Sequence, residues 1–255
     1  MMDVNAYLAR IRYDGGIEPT LGNLKALMRA QLMAVPFENL DIYRNIPIYM
    51  DPEAQFEKIV KRKRGGFCYE LNSLFYRLLD KLGYETEMAS ARSYNWEKNT
   101  FGPEYDHMVV LVLVNRLLYL VDVGWGECPL GPLELDFDVN LEDENGQYRM
   151  KLGELDDIIL CKVQNYSAKP LYIFTQTPRR LKEFEQMCKY HQTSPHSRFK
   201  RERMAMMPTI NGKKSLVGNT FTLVYGKGEI EVEIETEEEI KQLLKKEFGI
   251  DLQYS

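Results

Sequence analysis

Two apolar runs, Met108 to Val114 and Leu117 to Val123, stand on either side of a single polar dipeptide, Asn115-Arg116. Runs this short and rich in Val and Leu, separated by a two-residue turn, are expected to fold as a hairpin within a buried sheet. One residue breaks the pattern. Asp122 places a carboxylate inside the second run, where burial without a partner is costly. With Asn115-Arg116 as the turn, Val114 faces Leu117 and Asp122 lies opposite Val109. His107, two residues before Val109, then projects from the same face as Asp122 as a diagonal cross-strand neighbour. A register shift of one residue would send the two side chains to opposite faces, so their pairing is a sharp expectation.

The periodicity before the hairpin is helical. Thr20 is placed to cap a helix carrying Leu21, Leu24, Leu27, Met28 and Leu32, with Pro36 beyond its end. Leu71, Leu74, Phe75, Leu78, Leu79 and Leu82 form a second apolar stripe, stopped by Gly83. After Gly83 the pattern turns to strands: Tyr84 to Tyr94, the hairpin, Ile158 to Val163 and Leu171 to Thr175, with a polar loop from Leu135 to Gln147. A charged helical stretch follows Pro178. Strands at Thr220 to Val224 and Ile230 to Ile234 then precede a last helix capped by Thr236 and Glu239. The expected organisation is α+β in three closely packed parts: helical over 1–83, β over 84–190 and α/β over 191–255.

The sharpest local feature is Arg64-Gly65-Gly66-Phe67-Cys68-Tyr69-Glu70-Leu71-Asn72. Two glycines allow a tight turn immediately before the second helix, which puts Cys68 at a helix start. There the unpaired N–H groups and the positive end of the helix dipole favour a thiolate, lowering the thiol pKa, and can receive a developing oxyanion. A small buried core residue is the alternative reading of the cysteine alone. Taken with His107, at the start of the first hairpin strand after the Gly102 to Asp106 loop, and the buried Asp122, the set is a nucleophile, a base and a group that orients the base. The order Cys, His, Asp also suits papain-like and transglutaminase-like cysteine hydrolases, so the pattern leaves hydrolysis and transfer both open.

Composition narrows the partners. A net charge of −5 over 255 residues argues against nucleic acid as the main ligand. The first residues, MMDVNAYLARIR, lack a signal-peptide core, and the hairpin's apolar runs are too short to span a bilayer, so neither secretion nor a membrane is expected and the protein is placed in the cytoplasm. Cys68, Cys128, Cys161 and Cys188 form no C-x-x-C pair and no zinc-ligand spacing, so free thiols and no metal are expected.

The four segments Val35-Pro36-Phe37-Glu38-Asn39-Leu40, Arg64 to Asn72, the run beginning His107-Met108-Val109, and Asp122-Val123-Gly124-Trp125-Gly126 together resemble the arylamine N-acetyltransferases, over about the first half of the chain. Thr193 to Phe199 is a weaker fifth match. The resemblance implies a helical bundle carrying the cysteine, a β-barrel carrying histidine and aspartate, and an α/β lid, around a cysteine-protease-like core. It further implies ping-pong transfer of acetyl from acetyl-CoA through Cys68 to an aromatic amine or hydrazine, with His107 as base and Asp122 as its orienting acid. Phe37 and Trp125 are the candidate walls of the acceptor pocket; Trp125 stands where the family commonly has phenylalanine, which bears on pocket shape. Gly126 and Arg198 are candidates for CoA contact, within a diffuse site that lacks any phosphate-binding glycine loop. Glu38, Arg64 and Asn72 are candidate supports, the first two as an ion pair bracing the loop before Cys68.

Overall fold

In the computed structural model, which describes residues 2–127 and 129–252, the stripe Leu71, Leu74, Phe75, Leu78 and Leu79 is fully buried and becomes one face of a central helix. Leading to it are α1 (Val4–Arg10), α2 (Leu21–Ala34), the short strand β1 (Phe37–Glu38), α3 (Leu40–Tyr43), α4 (Pro52–Phe56) and a π-helical turn (Glu57–Lys61). The central helix, α5 (Cys68–Lys81), has ten buried residues and starts directly on the cysteine. Thr20 caps α2 as expected, its hydroxyl accepting the Asn23 N–H.

The β part contains β2 (Glu85–Asn95), β3 (Thr100–Phe101), β4 (His107–Val114), β5 (Leu117–Val121), β6 (Leu133–Glu134), β7 (Leu141–Asp143), β8 (Gly146–Leu152), β9 (Ile158–Gln164) and β10 (Ser167–Arg179). They form a nearly closed barrel-like sheet in the order β6-β5-β4-β2-β10-β9-β8-β7, with β3 beside β2. Val114 pairs with Leu117 and Val110 with Val121, the register expected from a two-residue turn. Asn115 and Arg116 both adopt positive φ, 52° and 68°, as such a turn requires.

A 3₁₀ turn (Leu181–Phe184), α6 (Glu185–Thr193) and α7 (Arg198–Arg201) lead to the strands β11 (Met204–Thr209), β12 (Gly212–Val217), β13 (Thr220–Tyr225) and β14 (Gly228–Glu233), and to α8 (Glu237–Phe248). Thr236 and Glu239 cap α8 reciprocally. One face of this second sheet buries Ala205 and Leu216 against Ile240, Leu244 and Phe248 of α8. Its far edge is β1, contributed by the N-terminal segment, with Phe37 opposite Met206.

Two expectations need correction. The stretch from Leu135 to Gln147 is not all loop: Leu141 pairs with Tyr148 in a β7–β8 hairpin, because Tyr148 and Met150 alternate inward and are fully buried. The C-terminal part has two strands more than expected, β11 and β12, whose Met, Pro and Lys content masks a β pattern.

Candidate active site

The three residues singled out by their chemistry come from three separate places. Cys68 opens α5, His107 opens β4, and Asp122 follows β5 by one residue. The hairpin register brings the last two together: His107 Nε2 lies 2.8 Å from Asp122 Oδ2. Both are essentially buried. The other carboxylate oxygen, Oδ1, accepts the Asn72 Nδ2–H and the Gly124 N–H, each at 2.9 Å. Burial acts to raise the Asp122 pKa, but the His107 contact and these two donors outweigh it, and the carboxyl sits below its ordinary value. An ionised Asp122 accepts a hydrogen bond from Nε2–H, which fixes the tautomer and leaves His107 Nδ1 as the nitrogen able to accept a proton.

Asn72, one turn after Cys68, joins the helix to the hairpin. Its Nδ2 also donates to the Met108 carbonyl at 2.7 Å, and its Oδ1 accepts the Val123 N–H at 2.8 Å. Gly124 is pressed against the helix start so closely that a Cβ there would fall 2.9 Å from both the Cα and the carbonyl oxygen of Cys68. The Asp122–Gly124 turn and the cysteine are therefore in direct contact. The ring of His107 packs against Trp125 at 5.0 Å and Tyr172 at 5.4 Å, and those two rings are 5.0 Å from each other.

The thiol differs from expectation. Cys68 is 4% exposed, and burial, followed by the fields of Cys188, Asp106 and Asp122, pushes its pKa well above the ordinary value; the Tyr69 N–H bonded to the sulfur opposes this only in part. Helix-start amides are thus outweighed by burial. Forming the thiolate therefore requires a proton acceptor.

Behind the cysteine lies a chain of buried charges. Arg64 donates from Nε to Glu38 Oε1 at 2.9 Å and from Nη2 to Asp41 Oδ1 at 2.9 Å. Lys58 Nζ contacts Asp41 Oδ2 and Glu70 Oε2, each at 2.9 Å. Glu70 Oε2 in turn accepts the Phe67 N–H at 2.9 Å, capping α5. Sequence reasoning singled out Glu38 and Arg64 but passed over Asp41, Lys58 and Glu70, because isolated charges read as solvated surface; Glu70 three residues after the N-cap was the available signal.

Phe37 is buried against Phe67 at 5.8 Å and Phe199 at 6.4 Å; Trp125 is half-buried beside the imidazole. Gly126, at φ +84°, lies on the rim of an open cleft of about 810 Å³ between the barrel, through Glu144, Lys162 and Gln164, and the C-terminal sheet, through Thr209, Lys213 and Tyr225. Cys68 does not line that cleft, and neither does Arg198, which is turned to Glu202 at 2.8 Å. The basic run around Arg198 is largely committed to internal partners: Lys200 bonds Asn45, and Arg203 bonds Glu237. Cys161 and Cys188 are buried free thiols, and Cys128 lies outside the described residues.

A family model described as N-acetyltransferase matches residues 20–255. Mouse (Mus musculus) arylamine N-acetyltransferase 2 is 33% identical, over 99% of this chain and 95% of that protein. The chain belongs to the arylamine N-acetyltransferase family. The arylamine N-acetyltransferase structure from M. tuberculosis superposes with a TM-score of 0.93 at 29% identity, covering 99% of this chain and 95% of that one. That of Mycobacterium marinum, solved in complex with CoA, gives 0.92 at 29% identity over 99% and 94%. This arylamine N-acetyltransferase family member is accordingly an acyltransferase with a cysteine-protease-like α+β fold. Among its described residues no helix is long and apolar enough to cross a membrane. Gly124, Tyr172 and the buried His191 were not singled out from the sequence as site neighbours, since a glycine, a strand tyrosine and a helical histidine carry no local signal.

Proposed function

We propose that this chain transfers acetyl from acetyl-CoA to the nitrogen of an arylamine, or of an arylhydrazine, by a ping-pong route through an acetyl-Cys68 thioester. The observation that carries the reading is the His107–Asp122 contact of 2.8 Å, on a hairpin whose following turn touches the cysteine. In the first half, His107 Nδ1 takes the Cys68 proton as the sulfur attacks the acetyl carbonyl; the bond from carbonyl to CoA sulfur breaks, and the imidazolium returns its proton to the departing CoA thiolate. In the second half the amine attacks the Cys68 thioester and gives a proton to His107, and the Cys68 sulfur leaves and is reprotonated. Asp122, kept ionised, stabilises the imidazolium in both halves. Asn72 and Gly124 hold that carboxylate and the helix start together.

Trp125, half-buried beside the imidazole, suits a flat acceptor ring stacked against it. The cleft edged by Gly126, with Lys162 and Lys213 on its walls beside Glu127 and Glu144, offers one place for the anionic end of CoA, and the exposed Arg198, beside Glu202, offers another. The reading places the protein in the cytoplasm, with a small amine and acetyl-CoA as its partners and neither nucleic acid nor a metal required. Steady-state kinetics with acetyl-CoA and an arylamine test it. Parallel double-reciprocal lines and stoichiometric acetylated amine are expected. Steady release of CoA with no acceptor present, at the rate seen with one, would mark a cysteine hydrolase instead.

A further inference from the structure

The nucleophile and the base stand on different elements, and two side chains of α5 grip the chain on both sides of His107. The Tyr69 hydroxyl donates to the carbonyl oxygens of Tyr105 at 2.7 Å and Asp106 at 3.2 Å, immediately before the histidine. Asn72, three residues along the same helix, donates to the carbonyl of Met108 at 2.7 Å, immediately after it. We propose that Tyr69 is a positioning residue for acyl transfer: its hydroxyl fixes the start of β4 against the helix that begins with Cys68, and so sets where His107 Nδ1 meets the sulfur. The inference rests on Cys68 and His107 as nucleophile and base.

The loop gives the hydroxyl something to hold. Tyr105 is in the left-handed region, at φ +65°, a conformation that a bulky residue keeps only when its surroundings enforce it. Its N–H donates to Ser90 Oγ at 2.8 Å, and its carbonyl is the one Tyr69 takes, so the strained residue is pinned from both ends. Asp106 is held separately, through the Ser93 N–H at 3.2 Å and a His191 contact at 3.4 Å. The Tyr69 ring is fully buried against Phe67, Phe184 and His191, contacts that a phenyl ring keeps. The hydroxyl alone reaches the loop, and its removal frees Tyr105 to relax and carry His107 away from the sulfur.

The test compares Tyr69→Phe with Tyr7→Phe, because the buried Tyr7 hydroxyl has no hydrogen-bond partner among the described residues. Two quantities are read: the pH profile of Cys68 alkylation by iodoacetamide, and kcat and KM with acetyl-CoA and an arylamine. Loss of one buried hydrogen bond that acts on geometry predicts, for Tyr69→Phe, a kcat lower by about tenfold with the amine KM nearly unchanged, and an alkylation midpoint displaced to higher pH. Tyr7→Phe leaves both unchanged. Ser90→Ala removes the acceptor of the Tyr105 N–H and shifts the alkylation midpoint in the same direction, which keeps the test available if Tyr69→Phe does not fold. An unmoved profile with full kcat in Tyr69→Phe overturns the inference, as does an unmoved profile in Ser90→Ala. A wild-type protein that accepts no acetyl group would fell the functional reading instead, with the alkylation profiles still deciding the role of Tyr69.

Discussion

The contact between Gly124 and the start of α5 can be tested with a single methyl group. In Gly124→Ala the new Cβ would lie 2.7 Å from Asn72 Nδ2 and 2.9 Å from both Cys68 Cα and the Cys68 carbonyl oxygen, whereas ordinary contact begins at 3.4 Å. Two of these neighbours are backbone and cannot swing aside, so the turn and the helix must part by at least half an ångström. Overpacking of this kind destabilises by about 1–3 kcal/mol, and a shift approaching 1 Å between reacting groups costs up to about a hundredfold in rate. The expected outcome is therefore a folded protein with a melting point a few degrees lower and Cys68 acetylation slower by about ten- to a hundredfold. Stopped-flow release of CoA in a single turnover gives the rate, and calorimetry the stability. Wild-type single-turnover kinetics in Gly124→Ala would refute the claim that this contact sets the geometry of the nucleophile.

Asp122→Asn removes the acceptor for the Nε2 proton of His107 and favours the wrong tautomer; kcat should fall by about 10²–10⁴-fold with a near-native fold by circular dichroism, and retained activity would remove Asp122 from the mechanism. Arg64→Met strands Glu38 and shortens the partner set of Asp41 in a buried network, so the urea midpoint should drop by the equivalent of about 3–5 kcal/mol at an unchanged slope; an unmoved midpoint would contradict the network. Asp41, Asp106 and Asp122 all ionise below the ordinary 3.8 in the folded state. Depressed carboxyls contribute stability that is present above their unfolded pKa and lost as pH falls through the folded values, while Glu70, raised by burial from 4.5, acts in the opposite sense. With Glu183 and Glu237 lowered as well, the depressed carboxyls outnumber the raised one and predict a falling urea midpoint from about pH 5 to about pH 3, with a shallower fall in Asp122→Asn, and a flat profile would refute the assignment.

Much of this site is written locally in the sequence. A two-residue turn fixes strand parity, so Asn115-Arg116 was enough to place His107 and Asp122 on one face, and a buried acid in an apolar run announces its need for a partner. The Gly-Gly turn followed by a helical stripe located Cys68. What local patterns cannot carry is the meeting of distant segments. The pairing of Phe37 with Met206 spans most of the chain, and Lys58 with Asp41 and Glu70 looks like three solvated charges until the fold buries them together. The raised thiol pKa has the same origin, since a helix start is visible in the sequence and the burial that overrides it is not.

In the proposed reaction Cys68 carries the acetyl group between donor and acceptor. Intact-protein mass spectrometry after brief mixing with acetyl-CoA and no amine tests it most directly, comparing wild type with Cys68→Ala. A single acetyl adduct is expected on wild type, none on Cys68→Ala, and transfer of the adduct to an arylamine added afterwards. An adduct that persists in Cys68→Ala, or the absence of any adduct on wild type while amine is still acetylated, would contradict it.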